Sequence, residues 1–157
     1  MLATELAALY LRDLSRLLQE LRAFPDTPAL WRVAPGLTNA AGTLALHLEG
    51  NLREYIGRQL GQIPYQRDRP LEFGARGVEQ AELIGRIEGV RDTVPPVIGA
   101  LSPALLDAVY PEPYDGSLIS TRHFLIHLSG HLNYHLGQID SLRRVTTGGG
   151  ALSLAGL

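Results

Sequence analysis

Hydrophobic positions recur along this chain at helical spacing. Between residues 3 and 23, Leu6, Leu9, Tyr10, Leu14, Leu17, Leu18 and Leu21 fall on one face, the three-to-four step of an amphipathic helix. Pro25 and Pro28 end it, and 24–38 reads as a loop holding Trp31. Thr38 or Asn39 can cap a second helix to about Gly61, with Leu44, Leu48, Leu52 and Tyr55 as its buried stripe. The segment IPYQRDRPLEF then forms a connection of about 15 residues, a length often ordered for function. A third helix is expected from Val78 to Val94, carrying Leu83, Ile84, Ile87 and Val90, with Pro95-Pro96 kinking or stopping it. Ser102-Pro103 opens a short helical turn and YPEPYDGS is a loop. Ser120 or Thr121 caps a last helix that runs to about Val145. No strand-like alternation competes. The pattern predicts an all-α fold, a four-helix bundle with long connections over residues 1–145, followed by a flexible tail over 146–157.

The candidate chemistry lies in the histidines. His123, His127, His131 and His135 follow one another at four-residue steps in the last helix, and His47 stands in the second. Two histidines four apart on a helix can reach one ion, and a third from another helix completes a three-ligand site with an open position. A helix turns about 100° per residue, so each four-residue step drifts by about 40°. All four histidines therefore cannot face one ion. Phe124, Leu128, Leu132, Ile139 and Leu142 mark the inner face of this helix. His135 falls inside that arc and His131 at its border, which makes them the inward pair; His127 with His131 is the alternative. His47 lies at the edge of its helix's stripe beside Asn51 and Glu54, a position suited to a ligand at an inter-helical cleft. Outer hydrogen-bond acceptors for the imidazoles are expected, with Glu49, Glu54 and Asn133 as candidates and His127 in a supporting role. The sequence His131-Leu132-Asn133-Tyr134-His135 lacks the glutamate of a zinc-protease helix.

Composition narrows the chemistry. With no cysteine, a metal would be held by imidazole, carboxylate or water, and thiolate nucleophiles are excluded. All 14 basic residues are arginine, which excludes Schiff-base lysine chemistry. A net charge of −2 gives no footprint for nucleic acid or an anionic membrane. No apolar run has the length of a membrane span, and the N-terminal residues carry no basic leader, so a cytoplasmic protein is expected.

The run GHLNYHLGQIDSLRR resembles the final helix of the DinB-like superfamily, where a histidine pair four apart is followed by Gly-Gln-Ile, here Gly137, Gln138 and Ile139. HLEGNLREYIG followed by QRDRPLEF is similar to a subfamily of bacterial members with an Arg-Asp-Arg segment ending in Glu-Phe. The resemblance spans nearly the whole chain. It implies a four-helix bundle, commonly a homodimer, with a divalent metal on His47, His131 and His135. Zinc or nickel is the first expectation for the ion, with manganese and iron also found in the family. Relatives include S-transferases and hydrolases that use low-molecular-weight thiols such as bacillithiol or mycothiol, and a maleylpyruvate isomerase. Leu132 and Leu136 stand where many members carry charged residues, so the resemblance does not carry a specific substrate. It supports a metal-dependent enzyme acting on a small molecule, in which Arg67 and Arg69 orient an anion unless they pair with Asp68 or Glu72. The alternative is a non-catalytic metal-binding or dimeric interaction protein.

Overall fold

The computed structural model describes residues 1–153. Its helices are α1 (Leu2–Arg22), α2 (Thr27–Leu30), α3 (Ala41–Leu52), α4 (Arg69–Gly74), α5 (Gln80–Gly99), α6 (Pro103–Asp107) and α7 (Thr121–Thr147), with a π-helical segment, Arg53–Arg58, prolonging α3. The four long ones form the expected bundle, in which α1 and α3 each pack against both α5 and α7.

Side-chain pairings give the helix directions. Gln80 at the start of α5 donates to the carbonyls of Leu21 and Phe24 at the end of α1, so these two run antiparallel. Tyr10, Asp13 and Glu20 of α1 meet Leu125, Asn133 and Arg143 of α7 in that order, so α1 and α7 run parallel. Glu49 and Arg53 approach Arg86 and Gly89, so α3 and α5 are parallel too. The chain therefore runs up, down, down, up. Two successive parallel helices require a crossover the length of the bundle. Residues 59–79 are that crossover, and they pass over α3 on the way.

Local signals explain most element ends. Asp26 caps α2, accepting from the Ala29 N–H at 2.8 Å, and Ser120 caps α7, accepting from the His123 N–H at 3.3 Å. Ser102 does the same for α6, which begins at Pro103 as expected. Gly148, at φ 71°, ends α7 in the left-handed conformation.

Four expectations need correction. The second helix begins after Ala40, with no side-chain cap from Thr38 or Asn39. Its last turns widen into the π-helical segment, where Gln59 N–H reaches the Glu54 carbonyl and Gly61 N–H the Ile56 carbonyl. This register shift buries Ile56 and leaves Tyr55 half-buried at a cleft. The third helix continues through Pro95 and Pro96 to Gly99. Each proline removes one bond to a carbonyl four residues back, on Arg91 and Asp92, which lie toward solvent and can bond water. The expected connection contains α4, capped by Asp68 and started by Pro70. Finally, α7 includes Thr146 and Thr147, and Arg143 holds the Gly150 carbonyl at 3.0 Å, so the expected tail begins inside ordered structure. Its last residues, 154–157, lie outside the described residues.

The core is leucine-rich and continuous through all four long helices. Helix α3 is its axis, with every residue from Ala41 to Leu52 buried. Close approach is needed at Gly42, where a Cβ would stand 2.9 Å from the Trp31 ring; that indole also donates to the Val78 carbonyl at 3.0 Å. Tyr10 is wholly buried and its hydroxyl donates to the Leu125 carbonyl at 2.7 Å. Tyr10→Phe is expected to lower stability by about 1 kcal/mol, the net worth of such a bond. A lower urea midpoint at unchanged slope would show it, and an unchanged midpoint would contradict it.

Candidate metal centre

Helices α3 and α7 run antiparallel, and midway along them three imidazoles converge. His47 Nε2 lies 3.2 Å from His131 Nε2, which lies 3.1 Å from His135 Nε2. One nitrogen from each residue falls within 4.8 Å of the others. His131 and His135 stand ring-edge to ring-face, with an interplanar angle of 87°. Zinc–imidazole bonds of about 2.0–2.1 Å at a tetrahedral angle would put ligand nitrogens about 3.3 Å apart, so the spacing suits one ion.

Proton accounting points the same way. His47 Nδ1 lies 3.0 Å from a Glu72 carboxylate oxygen and must carry a hydrogen to bond it. His135 Nδ1 lies 2.7 Å from Gln138 Oε1 and likewise donates. When neutral, both rings then turn a lone pair inward from Nε2. His131 Nδ1 is buried without a hydrogen-bond partner among the described residues. If it carries the proton, three lone pairs face one another. If Nε2 carries it, only one of the two neighbouring lone pairs is well satisfied and Nδ1 is an orphaned acceptor. Protonation does not relieve this at neutral pH. Burial, with the charges of His135 and His47 beside it, pushes His131 down to about 4. Burial also lowers His135, against the opposing effect of its hydrogen bond to Gln138. The three convergent ring nitrogens are compatible with a bound cation.

An outer layer orients the rings. Glu72 is only 6% exposed. Burial would raise its carboxyl, but hydrogen bonds from His47 and Arg67 outweigh this and hold it below the usual carboxylate range. Arg67 donates through Nε at 2.7 Å to one oxygen and through Nη2 at 2.9 Å to the other, the two-point geometry that suits a guanidinium. His47, Glu72 and Arg67 thus form a relay from α3 into the crossover. A carboxylate behind a ligand histidine fixes the tautomer and strengthens the donor.

Both residues that the sequence reasoning proposed as inward, His131 and His135, are brought together with His47. His47 is more deeply set than an edge position suggests, at 7% exposure. His127 does not join the cluster; it packs against Tyr114 at 4.5 Å and lines the adjoining cleft. His123 is exposed. The proposed outer acceptors were placed elsewhere by the fold. Glu49 pairs with Arg86 and Arg53, Glu54 with Arg58, and Asn133 donates to Asp13 at 2.7 Å. The residues that fill this role are Glu72 and Gln138. Gln138 sits three residues after His135, a spacing that signals contact on a helix. Glu72 was foreseeable only as a partner for Arg67. Arg67 is engaged by that pair, whereas Arg69 lines the cleft with Asn51.

The fold is thus an all-α bundle whose three convergent histidines, across two antiparallel helices, form a cluster compatible with metal binding. The chain belongs to the DinB superfamily, whose family model matches residues 9–139. No curated protein and no solved structure matches it. Among the described residues, no helix is long and apolar enough to cross a membrane.

Proposed function

We propose that this protein is a metal-dependent enzyme of the DinB superfamily that holds one divalent ion, zinc or nickel first, on His47, His131 and His135. The observation that carries the reading is the inward nitrogen set: three convergent imidazoles, His47 buried and His131 and His135 half-buried, whose own hydrogen bonds cannot satisfy one another. An ion with three protein ligands and an open position supplies Lewis acidity, lowering the pKa of a bound water or thiol toward neutrality. Glu72 and Arg67 keep His47 facing inward, and Gln138 does the same for His135. The cleft beside His47 and His131, about 340 Å³ in volume, gives a small molecule access to that position. This access favours catalysis over a closed structural site. A thiol-dependent transfer or hydrolysis fits the donor set, with a low-molecular-weight thiol as co-substrate. The homodimer belongs to the same reading and rests on the family resemblance.

Metal analysis of tag-free protein tests the proposal. One divalent ion per chain is expected, with a rise in melting temperature on adding zinc or nickel to metal-free protein, because an ion that binds only the folded state stabilises it. His131→Ala should lose both. Protein without stoichiometric metal and without a thermal response would remove the three-histidine centre.

A further inference from the structure

The cleft that opens beside His47 and His131 has features that the metal centre does not use. Asn51, one turn beyond His47 on α3, is 7% exposed and lines it. Its Oδ1 is buried with no hydrogen-bond partner among the described residues. An unpaired buried amide oxygen costs free energy unless something else bonds it. At the outer end stands Arg69, exposed and with its guanidinium 5.7 Å from the Phe73 ring centroid. It has no carboxylate partner among the described residues. Glu112, the acidic residue lining the same cleft, is already held by Arg58 and Gln59. The uncompensated charge of the cleft is therefore positive.

Much of the remaining cleft wall is aromatic. Phe124 lies 4.2 Å from Tyr110, 5.4 Å from Tyr55 and 5.6 Å from Tyr114, and Tyr114 also covers His127. Tilted and edge-on rings of this kind favour a flat unsaturated guest over a saturated one of equal size. The volume is at the small end for ligand pockets.

We infer that this cleft binds a small aromatic carboxylate, with its carboxylate on Arg69, its ring against Phe124 and Tyr114, and a donor group at its inner end bonded to Asn51 Oδ1. The inference deepens the proposed function by naming the class of the small-molecule substrate, and it rests on that reading for its catalytic meaning. The binding itself uses Arg69, Asn51 and the rings.

Calorimetric titration of metal-free and zinc-loaded protein with 4-hydroxybenzoate tests it, with benzoate and 4-hydroxycyclohexanecarboxylate as controls. Binding is expected in both forms, with 4-hydroxybenzoate the tightest. Arg69→Gln should weaken it about tenfold, as loss of a charge-assisted bond does. Asn51→Leu should erase the advantage of 4-hydroxybenzoate over benzoate. Equal affinity for the saturated ring, or no effect of Arg69→Gln, would overturn the assignment. Binding seen only with zinc would also overturn it, by placing the carboxylate on the metal. Zinc uptake is measured on the same samples. Protein that binds no zinc but still binds 4-hydroxybenzoate through Arg69 and Asn51 would sink the metal reading and keep this one.

Discussion

Gly50→Ala is expected to weaken zinc binding by about 10- to 100-fold, the usual cost of losing an outer partner of a ligand histidine. Helix propensity alone predicts the opposite sign, since alanine in a helix interior is favoured over glycine by about 1 kcal/mol. The reason lies in the crossover. A Cβ on Gly50 would stand 2.7 Å from Glu72 Cδ and closer still to Oε1. That carboxylate has no slack, because it bonds His47 at 3.0 Å on one side and Arg67 at 2.7 and 2.9 Å on the other. The added methyl must push Glu72 out and break at least one of these bonds. Chelator competition on Gly50→Ala, Glu72→Ala and the double variant separates this from general damage. The two single effects should fail to add. If Gly50→Ala weakens zinc just as much once Glu72 is gone, the carboxylate is not the route.

Arg143→Leu is expected to destabilise the fold by about 3–5 kcal/mol, the penalty for stranding one member of a buried ion pair. Glu20 is 0% exposed and accepts from Arg143 Nε at 2.5 Å, while its other oxygen has no partner among the described residues. Without the guanidinium, a carboxylate would sit between α1 and α7 with nothing to bond. Set against a typical domain stability of about 5–15 kcal/mol, that loss is visible in any denaturant titration. The double variant Glu20→Leu/Arg143→Leu should recover most of it, because two apolar groups of similar size need no partner. A single-variant cost below about 1 kcal/mol would mean that the pair contributes little.

The long helices were legible because leucines at three- and four-residue steps leave few alternatives, and the drift of four histidines along one helix was enough to select His131 and His135. The partner histidine followed from its place on the only other helix that carries one. By contrast, the pairing of Glu20 with Arg143 has no local signal, since nothing in the sequence shows that residues 123 apart will meet. Helix α4 was hidden for a different reason: its six residues are too few for periodicity, and only Asp68 before Arg69-Pro70 signalled a start. Glu72 was out of reach for the same cause, because its role depends on the path of the crossover and on the absence of a side chain at Gly50. The register change at Arg53–Arg58 left no mark in the apolar pattern before it, so Tyr55 was assigned to the core rather than to a cleft.

The parallel pairing of the first and last helices also sets the order of events in making the protein. Tyr10 meets Leu125, and Asp13 meets Asn133, so the contacts that close the bundle join residues 115 and 120 apart. Contacts of such separation close a large loop and come slowly compared with those of a bundle of adjacent hairpins. On a ribosome, His47 emerges 84 residues ahead of His131. Two of the three histidines therefore arrive only with α7, and a chain cut short before that helix has no three-histidine cluster to fill. A metal ion shared by the three histidines would need α7 already docked against α1 and α3.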